Sequence, residues 1–488
     1  MTLPTVVQVR VVLRIIGALL VFFSFTLLPP LGVSLYYRDG AQLPFVLGFL
    51  IVFGCGLLVW WPFRQARSEL RVRDGFLVVA LLWIMLSLTG AVPLALATRP
   101  HLSLTDAVFE AVSGLTTTGA TVVTGLDTLP RSLLYYRQQL QWLGGMGIVV
   151  LAVAVLPLLR VGGMQLYRAE APGPMKDTKL TPRIAETAKA LWGGYLGLTL
   201  LCVLSYWGAG MSLFDAVAHA FATVAIGGFS THDASLAYFR SPEIEVMATL
   251  FMLLAGVNFT LHFEALRKRR PRVYLSDSEM RVYLGVIAMV AMGVSGYLWW
   301  HGGLGPEAAV RYGLFQTVSF LTTTGFTSTD YSVWPPFVQV LLIFAAFVGG
   351  CAGSTAGGLK VIRVLLLYKQ GIREILRLIH PQAEIPVKVG KMPVSPRVVE
   401  AVWGFFSLYV VSFAAIMAAM MAFGLDQVTA FSAVAACLNN LGPGLGEVTS
   451  GFMTMPDGVK WLACFAMLLG RLEIFTLLVL LTPAYWRS

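Results

Sequence analysis

Four short segments of the chain gather the residue types that can coordinate a cation without any side-chain charge. They are Thr116-Thr117-Thr118-Gly119, Ala225-Ile226-Gly227-Gly228, Thr322-Thr323-Thr324-Gly325 and Asn439-Asn440-Leu441-Gly442. A run of small residues ending on glycine can turn successive carbonyls one way, because glycine enters the left-handed backbone region that a Cβ resists. Four such runs meeting at one depth would offer rings of carbonyl oxygens, the chemistry that replaces the water shell of a dehydrated monovalent cation. One Thr-Thr-Thr-Gly is an ordinary helix-ending turn. Four at matched places are a repeat.

The matching extends outward from the glycines. The second and third segments share Gly-Phe-[Ser/Thr]-[Ser/Thr]-x-Asp, at 228–233 and 325–330. Gly119, Gly228, Gly325 and Gly442 are separated by 109, 97 and 117 residues, so a unit of about a hundred residues occurs four times. Before each glycine runs a stretch of 12–16 residues, too short to cross a bilayer and suited to a re-entrant half-helix. An acidic residue opens each stretch: Asp106, Asp215, Glu307 and Asp426. A carboxylate favours a helix N-terminus, so the half-helices are expected to enter from outside and finish at the glycines.

The elements that must hold them are apolar spans. The 488 residues are 57% hydrophobic and 12% charged, with mean hydropathy +0.76, which excludes a water-soluble chain. Ten stretches are long enough to cross a bilayer: 11–30, 43–63, 75–97, 133–157, 184–208, 243–265, 281–300, 336–369, 398–423 and 459–483. The first, preceded by Arg10 and Arg14, lacks a small-residue cleavage site and is read as a retained helix. With the N-terminus inside, 27 of the 35 Lys and Arg residues fall on one face and 7 on the other, which places both termini in the cytoplasm. The outer loops are net acidic, which would concentrate cations at the outer mouth.

Two spans per repeat return the chain to the same side, so the repeats run parallel, unlike the inverted halves of many secondary transporters. The expected fold is an all-α polytopic membrane protein: an N-terminal two-helix domain, 1–66, then span, half-helix and span in 67–168, 169–272, 273–380 and 381–488. Pseudo-fourfold symmetry about the membrane normal would make the axis a pore.

Two features interrupt the spans below the glycines. Gly349-Gly350-Cys351-Ala352-Gly353-Ser354-Thr355-Ala356-Gly357-Gly358 puts five glycines in ten residues, at about 1 kcal/mol each in a helix, so that span should break. Arg471 lies in the last span, 29 residues beyond Gly442, while the glycine-rich loop lies 24–34 beyond Gly325. The two thus share a depth. An intramembrane arginine faces an interior or a watery path, and a gate in which the loop blocks the path and Arg471 repels cations follows. The competing possibility, a buried Arg471–Glu473 pair, suffers from i,i+2 spacing, which points the two side chains to different faces.

Cys55, Cys202, Cys351, Cys437 and Cys464 sit in apolar or glycine-rich segments without metal-ligand spacing and are read as packing residues. Basic residues are interleaved with apolar stretches, which argues against nucleic acid. The basic segments 267–272 and 360–377 suit a cytosolic partner, lipid headgroups or plain solvation. No GxxxxGK[ST] is present, nor any GxGxxG between a strand and a helix, so control by a nucleotide would need a partner.

LTTTGATV (115–122), QWLGGMGIVVLAVAVLPLL (141–159), GGFSTHD (227–233), GGCAGSTAGGLK (349–360), NLGPG (440–444) and GRLE (470–473) together resemble the TrkH subgroup of the Trk/Ktr/HKT potassium transporters. The resemblance covers nearly the whole chain, and the two extra N-terminal spans favour this subgroup over the shorter KtrB proteins. It implies K⁺ uptake across the bacterial inner membrane, four M1–P–M2 repeats in one subunit, a homodimer, and a cytosolic ring of the TrkA type that binds NAD(H) or ATP/ADP. It further implies that the four glycine segments form the K⁺ filter, that 349–358 is the gating loop and that Arg471 is the intrapore arginine. Glycine at 119, where sodium-selective relatives have serine, implies K⁺ over Na⁺. K⁺ is then the cargo, and no organic cofactor is expected on this chain.

Two other classes stay open on the residues alone. A K⁺/H⁺ or K⁺/Na⁺ symporter could use Asp233, Asp330 or His232, although their place after the glycines suits loop caps or cation attractors. A membrane enzyme would need a catalytic cluster, and His219 and His262 read as single residues on apolar helices.

Overall fold

A computed structural model describes residues 8–66, 72–150, 180–390 and 392–486. The end of the fourth expected span (151–157), the boundary between the first two repeats, the basic residues of 160–179 and Arg487 lie outside the described residues.

Apart from one two-stranded hairpin, in which Lys388 pairs with Pro393 and Val389 with Met392, the regular elements are helices. Among the described residues six are long and apolar enough to cross a membrane: Val9–Tyr37, Gln42–Phe63, Asp74–Leu96, Lys189–Gly208, Ser278–His301 and Pro396–Ala422. Two further spans are sharply bent pairs. Pro242–Ala255 meets Phe259–Lys268 at 94°, and Asp457–Arg471 meets Phe475–Leu481 at 117°. The single spans expected at 243–265 and 459–483 are therefore each broken in two. The break expected at 349–359 is present: Pro336–Val348 ends there and Val361–Ile379 resumes the helix.

The physical reason for the unexpected breaks is tertiary. At 256–258 the exposed carbonyl of Gly256 accepts from Cys351 N at 2.9 Å, and Phe259 N donates to Gly353 O at 3.1 Å. The bend thus exchanges helix bonds for bonds to the glycine-rich loop. At 472–474 the chain turns through left-handed Glu473 and Ile474, φ 55° and 52°, where no glycine marks the turn.

The four short helices are Leu104–Leu115, Leu213–Val224, Pro306–Leu321 and Gln427–Leu438. Three of the four N-termini are capped by side chains, and the third starts at Gly305-Pro306 without a side-chain cap. Ser103 Oγ accepts from Asp106 N and Ser212 Oγ from Asp215 N, both at 3.1 Å, while Asp426 accepts from Val428 N and Thr429 N. A serine followed three residues later by a carboxylate satisfies the free N–H groups of a first turn. All four half-helices are buried along their second halves and end at the four glycine segments.

Candidate ion pathway

The half-helices stop at Leu115, Val224, Leu321 and Leu438, and each chain then passes through the same pair of left-handed residues. Thr117, Ile226, Thr323 and Asn440 have φ of 52°, 54°, 64° and 53°, and Gly119, Gly228, Gly325 and Gly442 have φ of 83°, 77°, 82° and 95°. The same pair of left-handed positions in four segments, two reading Thr-Thr-Thr-Gly and two without any threonine, is a geometric repeat beneath the sequence repeat.

The four strands close on one another. A Cβ placed on Gly119 would lie 2.1 Å from Gly227 O, on Gly228 2.0 Å from Thr324 O, on Gly325 2.2 Å from Leu441 O, and on Gly442 2.6 Å from Thr118 O. Each glycine therefore abuts the carbonyl just before the next repeat's glycine, and the fourth returns to the first. The sixteen residues 116–119, 225–228, 322–325 and 439–442 are brought together as a ring, with the C-termini of four half-helices directed at it. Those termini carry partial negative charge.

The bracing differs from strand to strand. Thr116 and Thr118 share a hydroxyl hydrogen bond at 2.7 Å, as do Thr322 and Thr324 at 2.8 Å. Asn440 Nδ2 donates to Thr118 Oγ1 and to Met467 O, both at 3.0 Å, and Tyr409 OH donates to Asn439 Oδ1 at 2.7 Å.

Beneath the ring lies the loop 349–360. Gly357 N donates to Thr323 Oγ1 at 2.7 Å, Gly358 N to Asn439 O at 3.1 Å, and Thr355 Oγ1 to Val224 O at 3.0 Å. These three acceptors sit at the ends of the second, third and fourth half-helices, so the loop bears on three strands of the ring at once. Its own turns need left-handed glycines at 349, 353 and 358. Ala352 N is held by Glu279 Oε1 at 2.7 Å, and Lys360 Nζ donates to Ala356 O.

Arg471 is 3% exposed and donates from Nη1 to Thr355 O at 3.1 Å. Its Nε and Nη2 have no hydrogen-bond partner among the described residues. Glu473 does not neutralise it: that carboxylate takes Arg363 Nη2 at 2.8 Å. The loop and the arginine thus meet at one level, on the side of the ring away from the half-helix N-termini.

Several outer charges belong elsewhere than the sequence placed them. Arg137 and Lys460, counted with the outer loops, are buried on helices. Arg137 Nε bonds Glu110 Oε1 at 2.7 Å, Lys460 Nζ bonds Asp106 Oδ1 at 2.6 Å, and Arg311 Nε lies 3.2 Å from Glu245 Oε2. These carboxylates tie elements together, and the acidity left to attract cations is smaller than the loop count suggested. Asp330 caps Ser332 N at 2.9 Å, and Asp233 Oδ1 accepts from Gly125 N at 3.0 Å. His219 is not solitary: its ring nitrogens meet Asp215 O and Ser230 Oγ, both at 2.9 Å, and its ring stacks 6.4 Å from that of His232. His262 bonds Tyr274 OH and Leu254 O, both at 2.8 Å. Among the described residues no group of three His, Cys, Asp or Glu could hold a metal ion, and all five cysteines are free.

The family model for TrkH, described as a cation transport protein, matches residues 42–295 and 305–488. The chain belongs to the TrkH family. The TrkH-family protein from Vibrio parahaemolyticus serotype O3:K6 named "Trk system potassium uptake protein TrkH" is 54% identical over 484 residues, covering 99% of this chain and 100% of that one. Its namesake in Halomonas elongata is 55% identical over 481 residues, covering 99% and 100%, and that of Escherichia coli (strain K12) 52% over 480, covering 98% and 99%. The crystal structure of the potassium transporter TrkH from Vibrio parahaemolyticus superposes with a TM-score of 0.92 at 52% identity, covering 98% of this chain and 100% of that one. The fold is that of TrkH, an all-α membrane architecture.

Residues that sequence reasoning missed cluster behind the ring. Gln141 and Arg137 reach the second strand from the first repeat, and Tyr409 and Tyr331 brace the fourth, the latter by donating to Gly444 O at 2.6 Å. Their partners are 30 to 113 residues away, so no local pattern marks them.

Proposed function

We propose that the chain carries K⁺ into the cell across the inner membrane, through the ring formed by residues 116–119, 225–228, 322–325 and 439–442. The observation that carries this reading is the cyclic closure of the four strands, each glycine against the next repeat's carbonyl. Backbone oxygens take the place of the ion's water shell, and four half-helix C-termini stabilise the positive charge. Relatives named as potassium uptake proteins support the choice of ion.

The loop 349–358 and Arg471 act as the gate below the filter. For two unit charges about 5 Å apart in an effective dielectric of about 20, repulsion is about 3 kcal/mol, enough to empty a cation site roughly a hundredfold. Displacing either the loop or the arginine therefore favours opening. Repeat boundaries at 67–168, 169–272, 273–380 and 381–488, cytoplasmic termini, a homodimer, and a cytosolic TrkA-like ring that binds NAD(H) or ATP/ADP complete the proposal. The naming of the relatives as proteins of a Trk system supports a multicomponent assembly.

The test is rubidium flux into liposomes holding the purified chain, at clamped voltage with no proton or sodium gradient. Entry driven by voltage alone is expected. Strict dependence on a second ion would replace this reading with a K⁺/H⁺ or K⁺/Na⁺ symporter.

A further inference from the structure

Three strands of the ring carry polar side chains that brace them, and the second does not. Ala225-Ile226-Gly227-Gly228 has no side-chain oxygen or nitrogen, yet it must hold Ile226 at φ 54° and Gly228 at φ 77°. A β-branched residue in the left-handed region is strained, and two glycines add freedom instead of restraint. Something outside the strand must hold it.

That restraint comes from the first repeat. Gln141, fully buried on the helix Arg131–Val150, donates from Nε2 to Gly227 O at 2.6 Å and accepts from Phe229 N at 3.1 Å. The first bond fixes the peptide plane before Gly228 and the second fixes the plane after it. Only one orientation of the amide satisfies both a carbonyl and an N–H. One helical turn earlier, Arg137 donates from Nη1 to Ser230 O at 3.3 Å, with its guanidinium 4.2 Å from the Phe229 ring centroid. Arg137 is itself fixed by Glu110 Oε1 at 2.7 Å and Thr121 Oγ1 at 3.1 Å. Residues 137 and 141 share a helix face, so one rigid surface grips the strand from Gly227 to Ser230.

We propose that Gln141, supported by Arg137, is a positioning clamp through which the first repeat sets the second filter strand, and that discrimination between K⁺ and Na⁺ depends on it. Neither residue is among the sixteen residues of the ring. This inference rests on the filter reading above. With the clamp in place, Gly227 O cannot rotate inward to suit a smaller ion. Without it, two peptide planes flanking a glycine are free to turn and the ring loses its fixed size.

The experiment compares rubidium and sodium flux into liposomes for the full chain and for Gln141→Glu, Gln141→Leu, Gly119→Ser and Gln339→Leu. Gln141→Glu keeps size and the bond from Phe229 N but cannot, when ionised, donate to Gly227 O. The rubidium-to-sodium ratio is expected to fall about tenfold in Gln141→Leu, as for a lost buried hydrogen bond, and also in Gln141→Glu. The Gln339 side chain donates to Ser332 O and Trp334 O in an outer turn, and its variant should keep the ratio. Should Gln141→Leu fail to reach the membrane, Gln141→Glu decides alone. Wild-type ratios in the folded Gln141 variants, beside a lowered ratio in Gly119→Ser, would overturn the clamp and leave the filter standing. An unchanged ratio in Gly119→Ser would overturn the filter reading and the clamp with it.

Discussion

Arg471 Nη1 donates to the carbonyl of Thr355 at 3.1 Å, and this contact joins the broken helix of the fourth repeat to the loop that interrupts the third. The same loop reaches the second repeat through Gly256 O and Phe259 N. Three interrupted spans therefore share one set of bonds beneath the ring.

Removing the arginine should loosen that set and remove a charge from the path. Arg471→Ala is expected to raise rubidium flux several-fold in liposomes without any regulator, with flux through Arg471→Lys intermediate. Flux and regulation equal to wild type would rule out a gating role.

Gly357 offers a second handle on the same loop. A Cβ there would lie 2.0 Å from Asn439 O and 3.1 Å from Thr323 Oγ1, so Gly357→Ala must push the loop away from two strands. Basal flux should rise in this variant even with Arg471 intact, measured as rubidium leak at clamped voltage.

Glu110 and Arg137 form a buried pair, 0% and 2% exposed. Removing one partner of such a pair leaves an uncompensated charge and costs about 3–5 kcal/mol. Glu110→Leu should therefore lower the unfolding temperature in detergent markedly, and Glu110→Leu with Arg137→Met should recover part of the loss. A double-variant cycle with no coupling would contradict the pairing.

His232 links the outer loops of the first two repeats. Its ring meets Asp127 and lies 3.5 Å from Asp215 Oδ1, and it stacks on Tyr238 at 3.4 Å. Burial disfavours the charged ring, but the carboxylates of Asp215 and Asp127 outweigh that and raise its pKa above the usual value, which is about 6.5. A pKa raised on folding stabilises fully below about pH 6.5 and the gain is lost as pH climbs through the raised value. Thermal stability of the chain should fall as pH rises above about 6.5 by more than in His232→Asn, whose profile should be flatter.

Much of this architecture is legible in the sequence because its signals are local. Length and apolarity mark the spans, a serine and a carboxylate three apart mark two half-helix starts, and a terminal glycine marks all four ends. The spacing of Arg471 and Glu473 also argued against their pairing, and Glu473 takes Arg363 instead. Long-range holds left no such trace. Gly256-Val257-Asn258 is small or polar at the depth of the glycine-rich loop, but that alone does not mark the bend, which forms because the loop about a hundred residues later bonds its open carbonyl. Glu473 and Ile474 turn left-handed without glycine. Arg137 reads as an outer charge and Gln141 only as the start of the stretch 141–159, and what they hold emerges once the second strand, 86 to 93 residues on, is folded against them.

On the proposed reading, a dehydrated cation rests within the ring closed by Gly119, Gly228, Gly325 and Gly442. Anomalous diffraction from crystals of the chain grown in rubidium addresses it directly. A rubidium peak on the axis, coordinated by the carbonyls of the four strands, is the result expected. Rubidium bound elsewhere in the membrane region, with that ring empty in a protein that still transports, would contradict it.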